Sequence, residues 1–273
     1  MPFLLHMCNF CCTFAGDMKK ISKAQIKLVR SLQQKKFRDE LGLFVAEGEK
    51  CVSELTKAFE IQLKIKNYEL ISREADDDVL SATSTEIEQM SGLRTPQAVI
   101  GVFKKHSIED FRLKISNLTL ALDGIQDPGN MGTIIRTCDW FGVHDIVCSR
   151  DTADCYNPKV VQATMGALAR VRVHYVDLPE WLSAICRQNS EFRIFGTLLE
   201  GKDMYEVLKA NGEGVKANGI IVMGNEGNGI SHEVRKLITH PIRIPSYPKN
   251  AETSESLNVS IATAIVLAEF RRI

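Results

Sequence analysis

Three short polar clusters in the C-terminal half of the chain carry the residue types from which a site can be built. They are Asn130-Met-Gly-Thr-Ile-Ile-Arg136-Thr137, Gly224-Asn-Glu226-Gly-Asn-Gly229 and Ser256-Leu-Asn258-Val-Ser260. Arginine presents a planar cationic fork that suits a phosphate or a carboxylate. The glycines let backbone N–H groups come close to a ligand, and each cluster lies where an apolar run meets a Gly-rich turn or a helix start. Ligands of open α/β sheets bind beyond the carboxyl ends of the strands, so these residues, distant in sequence, can converge there on one site.

Each cluster also has a plainer reading. Asn130 follows the turn Asp127-Pro128-Gly129 and can cap the helix that carries Ile134, Ile135 and Arg136. Arg136 by itself can make a surface salt bridge. The second cluster is spaced G-x-x-G-x-G and comes late in the chain, which excludes the dinucleotide pattern G-x-G-x-x-G after a first strand. Glu226 inside that turn would repel a pyrophosphate, and Ser231 caps the following helix. Ser256 can be a helix cap, whereas Asn258, just ahead of a buried apolar helix, needs a partner for its side chain. None of the six histidines stands in a Ser-His-Asp order or an H-E-x-x-H motif. Trp140 and Phe141 lie at helix spacing and are expected in the core.

The elements that must position these residues alternate between helix and strand. Ile26, Val29, Leu32, Phe37 and Leu41 repeat at helical intervals, Phe44 to Ala46 forms a short strand ending at Glu47-Gly48, and Cys51 to Phe59 is again helical. A strand over Ile61 to Ile65, a helix over Thr85 to Met90 and a strand over Ala98 to Phe103 complete a small domain, residues 18 to 105. The polar segment 106 to 116 is the expected linker. A second domain, 117 to 273, has strand candidates at Leu118 to Leu122, Asp145 to Cys148, Arg170 to Val173, Arg193 to Thr197, Ile220 to Met223 and Pro241 to Ile244. Helices between them predict an α/β fold with a parallel sheet.

The composition, 44% hydrophobic and 25% charged over 273 residues, allows one large or two moderate domains. No apolar stretch approaches the roughly 18 to 20 residues that span a bilayer, so a soluble, cytoplasmic protein with no membrane partner is expected. The net charge is zero, and attraction to nucleic acid must come from local clustering. Lys19, Lys20, Lys23, Lys27, Arg30, Lys35 and Lys36 form such a cluster, with no acid among them, as a phosphate-facing surface or a solvated helix face. Eight cysteines in a core-rich chain point to a reducing compartment and not to disulfides. Cys8, Cys11 and Cys12 make an incomplete zinc pattern with no second pair, so no metal is expected. Residues 1 to 17 lack the marks of an export signal and form an extension ahead of a helix beginning after Met18.

The chain resembles the SpoU family of RNA ribose 2'-O-methyltransferases, within the SPOUT superfamily. The resemblance rests on Asn130-x-Gly132-x-Ile134-x-Arg136-Thr137, on Tyr156-Asn-Pro-Lys-Val-Val with Met165-Gly166-Ala167, on Gly224-Asn-Glu226-Gly, on Ile244-Pro245 and on Ser256-Leu-Asn258-Val-Ser260. The segment before Lys105, with Phe44-Val-Ala-Glu-Gly48 and Leu93-Arg-Thr-Pro96-Gln97, looks like the L30e-like substrate-binding domain of some members. The family implies a parallel sheet whose C-terminal segment is threaded into a trefoil knot, an exception to the rule against threading. It implies S-adenosylmethionine held in the knot by backbone around Thr197, Gly224, Ile244 and Leu257, and a homodimer whose active site is completed across the interface. Asn130, Glu226, Ser256 and Asn258 would hold the ribose, Arg136 and the cofactor loops in register.

Family mechanisms give Arg136 the role of proton acceptor. An arginine with an ordinary pKa of about 13 costs about 8 kcal/mol to neutralise at pH 7. The second reading has Arg136 clamp the phosphate beside the target ribose. One departure from the family pattern is the loop 246 to 253, Ser-Tyr-Pro-Lys-Asn-Ala-Glu-Thr, in place of a shorter Met/Gly-containing loop bordering the adenine. The rival functions are therefore a transfer-RNA methyltransferase and a non-catalytic RNA-binding or assembly protein. Ribosomal RNA is the favoured substrate, because the N-terminal domain resembles that of ribosomal-RNA-modifying members.

Overall fold

The computed structural model describes residues 19–70, 78–106, 118–188, 192–210, 219–248, 254 and 256–272. The extension 1 to 17, nearly all of the segment 106 to 116 and positions 249–253 lie outside the described residues.

The N-terminal part runs α1 (Lys23–Ser31), α2 (Lys35–Leu41), β1 (Leu43–Glu47), α3 (Glu49–Leu55), β2 (Ile61–Asn67), β3 (Val79–Ala82), α4 (Ser84–Met90) and β4 (Val99–Lys104). Its four strands form one sheet in the order β1-β4-β2-β3, antiparallel at β1/β4 and β4/β2 and parallel at β2/β3. The single helical pattern read from Ile26 to Leu41 is two helices. The five-residue step from Leu32 to Phe37 marks the break, where Gln34 takes an extended backbone (ψ 133°). Ser22 opens α1 with a reciprocal capping box to Gln25, and Thr83 opens α4 with another to Glu86. β3 is an element the hydrophobic pattern alone does not reveal.

The C-terminal part runs β5 (Thr119–Asp123), α5 (Pro128–Trp140), β6 (Asp145–Ser149), α6 (Pro158–Thr164), β7 (Arg172–Val176), α7 (Leu178–Gln188), β8 (Ile194–Asp203), α8 (Met204–Ala210), β9 (Ile220–Gly224), α9 (His232–Arg235), β10 (His240–Arg243) and α10 (Val259–Phe270). All six strands are parallel, in the order β10-β8-β9-β5-β6-β7. The central strands β5, β6 and β9 are buried almost throughout, which is why their sequences read as continuous apolar runs. The β7 strand starts two residues later than expected, because Arg170 leaves the sheet for an ion-paired turn.

Helix α5 buries Met131, Ile134, Ile135 and Cys138 and packs against α6 and α10. Gly132 permits the α5/α6 approach: a Cβ there would lie 2.4 Å from Ala163 Cβ and 2.8 Å from the Val160 carbonyl oxygen. Trp140 corrects the expectation of a core residue, being 85% exposed, while Phe141 packs partly against the core. The buried stripe of α5 is already filled by Ile134, Ile135 and Cys138, and Trp140 lies one turn beyond Arg136 on the outer face. One apolar cluster joins the two parts, running from Phe44, Val52, Leu55 and Phe103 to Leu120, Ile134 and Val160. Among the described residues no helix is long and apolar enough to cross a membrane.

Candidate active site

Helix α5 begins where Asp127, not Asn130, takes the capping role. Its Oδ1 accepts from the Asn130 amide at 2.7 Å, and Pro128 fills the first helical position, where no N–H is needed. The Asn130 side chain is thereby left for tertiary contacts. Its Nδ2 donates to Glu226 Oε1 at 2.5 Å, and its Oδ1 accepts from Asn258 Nδ2 at 2.9 Å. One carboxamide therefore joins residues 96 and 128 positions away.

Asn258 fulfils two readings at once. Its Oδ1 caps α10, accepting from the amides of Ser260 (3.0 Å) and Ile261 (3.4 Å) and from Ser260 Oγ (2.6 Å), while its Nδ2 faces Asn130. The cap of α10 is thus Asn258 and not Ser256. Ser256 is exposed and makes no hydrogen bond among the described residues.

Glu226 is held by the turn that carries it. Asn225 pairs its backbone with Gly229, its Oδ1 accepts from the amides of Gly227 (2.8 Å) and Asn228 (3.2 Å), and its Nδ2 donates to the Gly124 carbonyl at 2.7 Å. Gly224 has to be glycine, since a Cβ there would meet the Gly229 carbonyl carbon at 2.3 Å. The Ser231 amide donates to Asp123 Oδ2 at 2.7 Å, and the Ser231 side chain makes no cap bond to α9. That corrects the expectation of a Ser231 cap: the residue sits at the right place, but its ordering contact runs through the backbone to the end of β5. Asn225, Asp123 and Asp127 are the site residues the motif reading passed over. Each is a polar residue at a strand end or turn, which is the only signal it gives.

Arg136 stands apart. It lies on the exposed face of α5, about 9 Å along the axis from Asn130 at 1.5 Å per residue. It makes no hydrogen bond or ion pair among the described residues. The carboxamide–carboxylate chain is therefore complete within one chain, and the cationic fork is not part of it.

Gly224 ends β9, Ile244 directly follows β10, and Thr197 lies within β8, the strand between them in the sheet. The β8/β9 ladder stops at Gly196–Val222, whereas β9 stays paired with β5 as far as Gly224–Asp123. β8 therefore parts from β9 at Thr197, whose Oγ1 donates to the Val222 carbonyl at 3.3 Å, and it goes on to pair Lys202 and Asp203 with β10. A crevice between diverging parallel strands is the ligand position of open α/β sheets. Leu257 is 46% exposed at the mouth of α10.

The basic cluster is only partly free. Lys23, Lys27 and Arg30 lie on the outer face of α1, with Lys19, Lys20 and Lys36 also exposed, while Lys35 is paired with Asp39 at 2.5 Å. Among the described residues no group of histidine, cysteine, aspartate or glutamate could hold a metal ion. The Cys8-Cys11-Cys12 pattern lies outside them. Burial pushes the Cys51 thiol up to about 11 and the Cys155 thiol up to about 12, which fits packing and not nucleophilic roles.

Residues 117–268 match the model of the SpoU rRNA methylase family, and residues 23–101 match the MRM3-like substrate-binding domain. The chain is 27% identical to the 23S rRNA (guanosine(2553)-2'-O)-methyltransferase RlmP of Bacillus subtilis, over 93% of this chain and all of that protein. A TrmH-family protein of Porphyromonas gingivalis has a solved structure with a TM-score of 0.80 and 37% identity, covering 92% of this chain and 98% of that one. An rRNA methyltransferase of Sinorhizobium meliloti, solved with S-adenosylmethionine bound, gives 0.75 and 28%, covering 93% and 97%. The polar motifs, the six-stranded parallel sheet and these matches lead to one conclusion: the chain belongs to the SpoU rRNA methylase family, with a SPOUT-type α/β catalytic domain.

Proposed function

We propose that the protein transfers a methyl group from S-adenosylmethionine to a ribose 2'-hydroxyl of structured RNA, with ribosomal RNA as its substrate. The observation that carries this reading is the Glu226–Asn130–Asn258 chain. It brings the three polar motifs together beside the crevice where β8 leaves β9.

The residues present fit the cofactor. Beyond Gly196–Val222 the facing backbone groups of β8 and β9 are released from their ladder and available to an adenine edge or an aminoacyl group. Ile244 and the exposed Leu257 offer apolar surface to the ring system. Thr197, Gly224, Ile244 and Leu257 are the positions that would hold it. When bound, S-adenosylmethionine supplies a methyl on a sulfonium, and transfer leaves a neutral thioether.

What this chain supplies is alignment, a path for one proton and exclusion of water. Asn130 is fixed at both ends of its carboxamide, so Glu226 and Asn258 keep one geometry without ligand. That is the preorganisation that lets hydrogen-bonding groups orient an attacking oxygen. Arg136, exposed and without an ion pair among the described residues, is suited to the phosphate beside the target ribose. Held there, Arg136 would keep the phosphate beside the ribose hydroxyl, where it could take up the hydroxyl proton.

The homodimer belongs to the same reading. Trp140 (85% exposed) and Ile261 (54%) project from α5 and α10, which pack together, and Arg136 shares the outer face of α5 with Trp140. Large exposed apolar side chains on two packed helices are suited to a subunit interface, and a second copy placed there would bring its own groups to Arg136. The described cysteines Cys51, Cys138, Cys148, Cys155 and Cys186 are all unpaired, which fits the cytoplasm, where rRNA is processed. Mapping ribose methylation in rRNA from a strain lacking the gene, with and without the gene restored, tests the proposal. One 2'-O-methyl mark should vanish and return, and an unchanged map would refute it.

A further inference from the structure

The two domains are tied by charges that sit between the basic helices and the catalytic helix. Arg38 of α2 is 2% exposed, although it ends a run of solvated lysines. Its Nη1 donates to the carbonyls of Leu32 and Gln33, both at 2.9 Å, and so shapes the turn between α1 and α2. Its Nε and Nη2 donate to Asp154 Oδ2 at 3.1 and 2.8 Å, across the domain boundary. The other oxygen of Asp154 accepts from the Tyr156 amide at 3.0 Å, in the loop that leads into α6.

A second link runs along the surface. Arg170 grips Asp139 of α5 with Nε and Nη2, at 2.9 and 2.8 Å, and reaches Glu54 of α3 with Nη1 at 2.7 Å. Between the two links the Tyr156 ring packs on Phe44, centroids 4.7 Å apart, with Lys105 Nζ above it at 5.2 Å. Helix α6 is in turn pressed on α5 at Gly132, two residues from Asn130. An apolar cluster could hold two domains together at several angles, whereas a forked guanidinium on one carboxylate oxygen and two carbonyls admits one.

We propose that Arg38, Asp154 and Arg170 are positioning residues that set the angle between the basic face of α1 and the Asn130 site. The target ribose would then be chosen by its distance from the RNA feature held on the N-terminal domain. The proposal rests on the reading that α1 holds RNA.

The test compares wild type with Asp154→Asn, Arg170→Gln and a triple Lys23→Ala/Lys27→Ala/Arg30→Ala variant, all full length, on an rRNA fragment that contains the methylated site. Asp154→Asn keeps an oxygen for the Tyr156 amide and removes the charge facing Arg38. It should raise KM for RNA about tenfold and spread methylation to neighbouring riboses, with kcat at saturating RNA and the calorimetric Kd for S-adenosylmethionine within about twofold. Arg170 is half exposed, and its loss should give about a threefold rise in KM. If Asp154→Asn does not fold, as judged by lost cofactor binding, Arg170→Gln decides by the same two readouts. Unchanged KM and single-site methylation in the folded link variants, alongside weakened RNA binding in the triple variant, would overturn the positioning role alone. Wild-type RNA binding by the triple variant would instead remove the RNA-holding reading on which the role depends.

Discussion

The two halves of the candidate site are built to different degrees. Asn130, Glu226 and Asn258 are bonded to one another, and Asn225 ties the Glu226 turn to β5, so this half needs no ligand to take its shape. Arg136, Ser256 and Leu257 are exposed, as is Trp140 at the far end of α5, and, among the described residues, Arg136 and Ser256 bond to nothing. The contrast teaches that the chain itself prepares the side proposed to align the ribose. In the proposed reading, the cationic and apolar side is left open for RNA, cofactor and a second subunit.

The largest effect should come from breaking the open half. Arg136→Ala should lower single-turnover methyl transfer by about 10³-fold, with the thermal midpoint unchanged because the exposed side chain makes no hydrogen bond or ion pair among the described residues. A shifted midpoint in scanning calorimetry would mean that Arg136 is structural. For the built half, Asn130→Ala removes both links of the chain. It should lower kcat by about 10²-fold and also loosen the Glu226 turn, read as faster amide exchange at Gly227 and Asn228. Loss of activity without faster exchange would leave Asn130 as a direct substrate contact only.

Trp140→Ala addresses the proposed subunit interface. Sedimentation should show dimer association weakened by about tenfold or more. A monomeric wild type would dismiss the interface outright.

The smallest effect lies far from the site and serves as a control. Burial lowers the His174 pKa below 6.5, although Asp145 at 3.1 Å acts in the opposite direction. The unfolded chain therefore binds a proton before the folded one does. Stability from this group is full above about pH 6.5 and is lost as pH falls through the lower, folded value. His174→Asn should flatten that part of a urea-unfolding series against pH while leaving methylation untouched.

Much of this arrangement is legible in the sequence, and the exceptions share a cause. The strands β5, β6 and β9 announce themselves as apolar runs because both faces of a parallel sheet are covered. Asn130, Glu226 and Asn258 stand out as polar residues at the edges of those runs. Trp140 misleads because hydrophobicity alone says core, whereas its offset from Ile134 and Cys138 puts it on the outer face. The exchange of roles between Asn130 and Asp127 is a local competition between two good caps, decided by Pro128 at the first helical position. Arg38 reads as one more basic residue, since its partner Asp154 is 116 positions away and no spacing rule reaches that far. Tertiary partners, and not local propensity, decide each of these cases.

Methyl transfer from radiolabelled S-adenosylmethionine to an rRNA fragment, followed by alkaline hydrolysis, is the most direct test of the account. Wild type should yield label in an alkali-resistant dinucleotide, the mark of a blocked 2'-oxygen, and Asn130→Ala should yield about a hundredth of it. Label in mononucleotides would place the methyl on a base, and no label at all would deny the enzyme; either result would contradict the function drawn from the Glu226–Asn130–Asn258 chain.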